Sequence, residues 1–210
     1  FLAGHAVTYP SFIWTNIARN PRRTILTIVS IGLSLFVLST LMTVLTELNR
    51  EPEGEDTHLR LVVRRATSLA DRLPEAYAAK LARVPSVRLV HALTWFGGIY
   101  IDERNFFANF ACDPDTLFAM FPENRIPPEQ LKAFQAERIA AIAGRKLVER
   151  FKWRLGDRIT LQGTIYPVDL EFVLRGIYTG TDETAFFFHR AYLEEALGRP
   201  GKVGTFWLKA

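Results

Sequence analysis

From Thr24 to Thr46 the chain runs through 23 residues without a charge. Fourteen are Ile, Leu, Val, Phe or Met, and the other nine are Thr, Ser and Gly32. As a helix rising about 1.5 Å per residue, the run reaches about 35 Å, enough to cross a hydrocarbon core of about 30 Å with some tilt. A buried core helix seldom runs so long without a charge. A secretory signal has a shorter apolar stretch that ends in a small-residue cleavage site. Here the run passes into Glu47-Leu48-Asn49-Arg50, which offers no such site. The pattern predicts a retained transmembrane helix over 24–46.

Charges at its two ends give the span a direction. Arg19, Arg22 and Arg23 precede it, while Glu47, Glu51, Glu53, Glu55 and Asp56 follow. Excess Lys and Arg mark the cytoplasmic side. The N-terminus is therefore expected inside, and residues from about 50 onward outside. With Thr27 at zero and about 100° per residue, Ser30 and Ser34 fall within about 60° of it. Gly32, Ser39, Thr43 and Thr46 gather on the opposite side. Small residues let helices approach closely in lipid, so Ser30, Gly32 and Ser34 are candidate helix-packing positions. The alternative is that Ser and Thr are merely tolerated there. Upstream, 10–19 reads as a short helix capped by Ser11, with Phe12, Ile13, Trp14 and Ile17 apolar and Asn20-Pro21 breaking it. A Trp beside three Arg suits the cytoplasmic membrane interface. Phe12, Trp14, Arg19, Arg22 and Arg23 are the residues named for that role.

Beyond Glu51-Pro52-Glu53-Gly54 the pattern changes to short alternations of strand and helix signals. Residues 59–64 read as a strand, and Pro74 opens a helix to about Ala82. Residues 87–94 read as a strand continued through Gly97-Gly98 to Ile101, and a hairpin then returns over 106–112. A helix is predicted from Asp113-Pro114 to Phe121, and another near 129–135. A second unit follows: strand 138–143, helix 145–151, strands 157–162, 169–178 and 185–188, helix 190–197 and strand 205–209. Neither a fixed repeat nor a low-complexity segment is visible. The first residue is Phe, and the chain stops two residues after Leu208. Both features lead us to expect a fragment or processed product. The fold class is α+β: one N-terminal transmembrane helix, then a mixed α/β extracytoplasmic domain of βαβ-like units with a β-hairpin insertion.

Net charge is +4 in 210 residues, but residues 49–210 carry 23 Lys/Arg against 21 Asp/Glu. That mixture offers no basic stripe for phosphates, so no nucleic-acid partner is expected. Cys112 is the single cysteine, which excludes an intrachain disulfide. It follows an apolar strand and reads as a small buried hydrophobe. His5, His58, His91 and His189 lack metal-ligand spacing, and His91 reads as a packed residue in a strand. Gly144-Arg145-Lys146 is not a phosphate loop, because the preceding glycine and following Ser/Thr are missing. The chain should not hydrolyse ATP by itself. A nucleophile beside a base is equally absent. Catalytic, cofactor and metal sites are therefore expected to be none, and Asp182 and Glu183 read as solvated turn residues.

Two aromatic clusters remain: Trp95-Phe96 with Phe106-Phe107, and Phe186-Phe187-Phe188. Consecutive residues on a strand point to opposite faces. Phe187 could thus meet a partner or apolar substrate while Phe186 and Phe188 enter a core. Packing of all three is the plainer reading.

The segment Asn16-Ile17-Ala18-Arg19-Asn20-Pro21-Arg22-Arg23-Thr24-Ile25-Leu26-Thr27-Ile28-Val29-Ser30-Ile31-Gly32 resembles the N-terminus of FtsX/MacB-type ABC transporter permeases. The stretch Gly144 to Phe151, followed by Leu155-Gly156-Asp157-Arg158-Ile159-Thr160-Leu161, is similar to a helix, Gly-Asp turn and strand of their periplasmic core domain. Tyr192-Leu193-Glu194-Glu195-Ala196-Leu197-Gly198 resembles that domain's next helix. The resemblance spans most of 12–210. It implies a cytoplasmic-side interfacial segment at 1–23, the span at 24–46, and a MacB-like periplasmic core domain at 50–210, truncated at its C-terminus. It also implies three further spans beyond this chain, and a bacterial inner-membrane location. The implied partners are an ABC ATPase subunit, a second permease copy, membrane lipid, and a periplasmic adaptor or lipophilic cargo. The implied role is to couple ATP hydrolysis on another chain to periplasmic domain motion, for export or release of a lipophilic or peptide-like cargo. The alternative is the ectodomain and anchor of a membrane signalling receptor. A membrane-anchored periplasmic enzyme is a third reading, which the missing catalytic groups disfavour.

Overall fold

The computed structural model describes Trp14, residues 19–48, 60–66 and 71–210. The chain divides into two compact units, Phe1–Glu53 and Gly54–Ala210.

In the first unit, helix α1 spans Pro21–Leu48. It begins three residues before the uncharged run, and Pro21 explains why. Proline at the first helical position brings a preset φ, and its missing N–H would have found no intrahelical partner anyway. The Asn20 carbonyl accepts the Thr24 N–H at 3.1 Å, closing the first turn. Thr27, Ser34, Thr40, Thr43 and Thr46 each donate their hydroxyl to the carbonyl four residues back, at 2.8–2.9 Å. The hydroxyls are thus satisfied within the helix, as a medium without water requires. By length and composition α1 can cross a membrane, and its apolar window is not buried. Trp14 and Arg19 are helical. The rest of the expected interfacial helix, Phe12 included, and the acidic stretch at 51–56 lie outside the described residues.

The second unit is built on an eight-stranded mixed sheet ordered β1-β10-β3-β4-β8-β5-β7-β6. Its strands are β1 Arg60–Val63, β3 Leu89–Trp95, β4 Ala108–Cys112, β5 Ala140–Gly144, β6 Arg158–Leu161, β7 Leu170–Tyr178, β8 Ala185–His189 and β10 Thr205–Lys209. Two neighbouring pairs are parallel, β4 with β8 and β5 with β7. The other neighbours are antiparallel. A separate two-stranded ribbon pairs β2 (Leu73–Pro74) with β9 (Lys202–Val203). Helices α2 (Tyr77–Leu81), α3 (Leu117–Met120), α4 (Pro128–Ala136), α5 (Arg145–Phe151) and α6 (Arg190–Ala196) complete it.

The central strands β5 and β8 are buried along their whole length. Their pairing is complementary in size: Ala141 opposes Phe188, Ile142 opposes Phe187, and Ala143 opposes Phe186. Small residues on one strand leave the volume that phenylalanines fill on the other. On one face Leu147 and Val148 of α5 and Leu193 of α6 pack with Phe186, Phe188 and Phe172. On the opposite face Leu117 of α3 and Phe134 of α4 pack with Ile142, Cys112 and Phe187. Covering on both faces explains why β8 reads as a continuous apolar run rather than an alternating one.

Three sequence expectations need correction. Pro74 does not open a helix: it pairs with Lys202 in the ribbon, and α2 starts at Tyr77. The strand before Gly97 does not continue through it. Gly97 takes φ +67°, and a Cβ there would lie 2.6 Å from Ile165 Cδ1, so the chain turns out of the sheet. The hairpin therefore joins β3 to β4, with Trp95 opposite Phe110, and Glu103–Asn105 forms a 3-10 turn within the connection. Finally, residues after 138 do not make a second unit. β8 inserts beside β4, and β10 beside β3, which interleaves the two halves in one sheet.

Candidate functional site

The residues named from the sequence fall into two groups. On α1, Ser30, Gly32 and Ser34 are all exposed. Ser34 is held by the Ser30 carbonyl, and a Cβ built on Gly32 would meet no atom within 4 Å. Arg19, Arg22 and Arg23 cluster at the start of the helix and are exposed, as is Trp14. This unit thus presents a cationic end and an apolar shaft with small notches.

In the second unit Phe186, Phe187 and Phe188 are 0%, 8% and 0% exposed. Phe187 does not reach a partner, because Phe110 stacks on it at 5.7 Å and Tyr178 covers it at the same centroid distance. The α3–α4 face hides what one-sided strand alternation would have exposed. The other cluster divides. Phe96 and Phe107 are core residues, whereas Trp95 and Phe106 are 42% and 56% exposed and stack on each other at 6.1 Å.

The titratable groups inside this unit are structural in their surroundings. His91 is buried, and its Nδ1 hydrogen-bonds the Thr116 hydroxyl at 2.7 Å. Its Nε2 has no partner among the described residues. Burial, aided by the Arg190 charge, lowers its pKa to about 4. His189 lies at 2.6 Å from the Phe134 carbonyl, and burial lowers its pKa as well. Cys112 is buried as a free thiol whose pKa burial pushes up, so it is neither nucleophilic nor easily oxidised. Arg190 bridges Asp113 and Glu75 at 2.9 Å each, tying α6 to the β4 end and to the ribbon. Arg60 makes a two-pronged bond to Glu123, both at 2.7 Å, and lies over the Phe121 ring. Asp182 accepts from the Thr184 N–H and hydroxyl and so shapes its own turn. Among the described residues no three His, Cys, Asp or Glu converge to hold a metal ion.

No family model matches the chain, and no curated protein matches its sequence. Solved structures do match. The extracellular domain of the noncanonic ABC-type transporter YknZ from Gram-positive bacteria superposes with a TM-score of 0.51 at 12% identity, over 72% of this chain and 81% of that one. The second unit has the fold of an ABC-type transporter ectodomain. The periplasmic region of MacB from Actinobacillus actinomycetemcomitans is similar with a TM-score of 0.49 at 10% identity, over 65% of this chain and 64% of that one. A domain described as that of a permease from Porphyromonas gingivalis gives 0.46 at 12% identity, over 66% and 62%. The chain thus spans less than two thirds of these last two structures. The mixed α/β unit and the preceding candidate transmembrane helix together match the fold class expected from the sequence.

Local sequence signals did not disclose the surface residues that the ectodomain fold brings together. Arg64, Arg72, Ile165 and Trp207 come from four separate segments, and they converge with Trp95 around one cavity. Each is ordinary in its own stretch. The pairing of β1, β10 and β3 brings Arg64, Trp207 and Trp95 together, and the segments carrying Arg72 and Ile165 close on them.

Proposed function

We propose that this chain is part of the permease subunit of an ABC transporter. In this reading it is non-catalytic and works with an ATPase carried on another chain or domain. The observation that supports it most is the juxtaposition in one chain of an uninterrupted apolar helix and a transporter-ectodomain fold. The domain boundaries follow: 1–23 at the cytoplasmic interface, 24–46 across a bacterial inner membrane, and 50–210 outside. Phe12, Trp14, Arg19, Arg22 and Arg23 form the membrane-proximal contact to the ATPase. A second permease copy packs on the small-residue positions of the span. ATP hydrolysis inside moves the outer domain, which passes a lipophilic or peptide-like cargo or acts on a periplasmic partner.

The orientation has a direct test. Glu103 is exposed on the turn between β3 and β4. Cys112 is buried and supplies no background. Glu103→Cys in intact cells is expected to react with a membrane-impermeant maleimide, giving one labelled band. Labelling that requires cell disruption overturns the orientation. The functional test is co-purification of the full-length protein with an ATPase whose turnover it alters. A receptor anchor would instead purify without one.

The packing role of the span is tested at Gly32. A Leu there raises apolarity, so insertion is expected to be intact. Overpacking a helix contact costs about 1–3 kcal/mol. Gly32→Leu is therefore expected to reduce dimer yield or coupled ATPase activity several-fold, while Ile31→Leu, which lies between the two small-residue faces, changes neither. Identical activity in the two variants would reduce the span to a simple anchor.

A further inference from the structure

The ectodomain holds a cavity of about 540 Å³ bordered by Val62, Trp95, Phe110, Ile165, Tyr166 and Trp207. Its wall is a sheet face. Val62 pairs with Trp207 across β1 and β10, and Trp95 pairs with Phe110 across β3 and β4. α3 and α4 cover this face further along, over Leu93 and Cys112, but leave the end that carries Trp95 open. Ile165 closes the other side and is itself 59% exposed. Water therefore faces two indoles and two branched aliphatic side chains, an arrangement that a monomeric surface rarely maintains without a use.

The charged groups at this cavity have one sign. Arg64, two residues after Val62 and so on the same side of the strand direction, and Arg72 both border it, and no carboxylate does among the described residues. Arg72 lies over the Tyr166 ring at 5.0 Å from its centroid, which fixes the guanidinium at the rim. A guanidinium carries five N–H donors, so the ring contact and a hydrogen bond to the Tyr166 hydroxyl still leave donors for an anion. The volume falls within the range of about 300–1,000 Å³ typical of sites for small molecules.

We infer that this cavity binds a small anionic amphiphile, its apolar body against Trp95 and Trp207 and its carboxylate-like head on Arg64 and Arg72. The ectodomain carries this site whatever energises the protein, so the inference does not depend on the transporter reading. Charge complementarity decides the occupant: an apolar peptide side chain or neutral lipid would leave both guanidinium groups idle.

The test uses the full chain with Trp14→Phe, held in phosphatidylcholine nanodiscs, with empty nanodiscs subtracted. The probes are 12-bromododecanoate, its methyl ester, and the trimethylammonium analogue of the same chain length. Bromine in the cavity quenches the indoles of Trp95 and Trp207, while Trp153 stays buried in the core. The carboxylate is expected to quench saturably, with the ester and the cation at least about tenfold weaker, the loss of a charge-assisted bond. Arg64→Gln combined with Arg72→Gln is expected to bring the carboxylate to the ester's level. Ile165→Glu, on an exposed loop, is expected to abolish quenching by the carboxylate while leaving the thermal midpoint unchanged. Equal affinity for the three head groups overturns the inference. So does quenching that never saturates, as a protein ligand or simple partition would give, or binding that survives all these variants.

Discussion

Asn109→Leu is expected to unfold the second unit more readily than any surface change, by about 3–5 kcal/mol, because it strands several buried backbone groups at about 1–3 kcal/mol each. Asn109 is fully buried on β4. Its Oδ1 accepts the Gly98 N–H at 2.8 Å, and its Nδ2 donates to the carbonyls of Gly98 and Phe107 at 2.8 and 2.9 Å. These bonds replace the ladder that β3 abandons when Gly97 turns out of the sheet. A leucine fills similar space and satisfies none of them. The measurement is chemical denaturation of the protein followed by tryptophan fluorescence. A loss under about 1 kcal/mol would show that water takes over the three groups. Asn109→Asp keeps the acceptor but sets a buried carboxylate against the Gly98 and Phe107 carbonyls, so it is expected to destabilise at least as much as the leucine at neutral pH.

The second large effect is on pH. His91 titrates near its ordinary 6.5 when unfolded and near 4 in the folded protein. Above 6.5 it is neutral in both states and costs nothing. As the pH falls from 6.5 toward 4, the unfolded chain takes up a proton that the folded chain refuses, so stability is lost through that window. The shift corresponds to about 3 kcal/mol at the acid end. The cause is first burial and then the positive charge of Arg190, with Phe121 edge-on to the ring at 6.0 Å. His189 is shifted in the same direction and adds to the slope. His91→Leu is expected to flatten the curve between pH 6.5 and 4 whatever its own stability at pH 7. An unchanged slope would show that His91 does not set the acid sensitivity.

How far the fold was legible varies with the range of the forces involved. α5 begins and ends where the sequence puts it, at Arg145 and Phe151, and β10 at Thr205 and Lys209. Lys152, in the left-handed region at φ 56°, stops α5. Local apolar spacing is enough for such elements. The ribbon of β2 with β9 was invisible, because two residues give no period and Pro74 signals a helix start equally well. Its partner Lys202 lies far along the chain, and only tertiary pairing selects the strand. The same limit hid the position of β8. Three phenylalanines in a row state that a segment is apolar, but Ala141 and Ala143 across the pairing decide that all three are core. The cavity near Trp95 was less legible still. Trp95 and Phe106 were singled out for their aromaticity, while the arginines that give the cavity its sign were indistinguishable from any other surface arginine.

The pairing at the sheet edge has an architectural meaning. β1 is antiparallel to β10, with Arg60 opposite Lys209. Residues opposite each other in such a pair stand about 4.5–5.5 Å apart. The first and last strands of the second unit are therefore neighbours at one edge of its sheet, and the segments between them can vary in length without altering the spacing of Arg60 and Lys209.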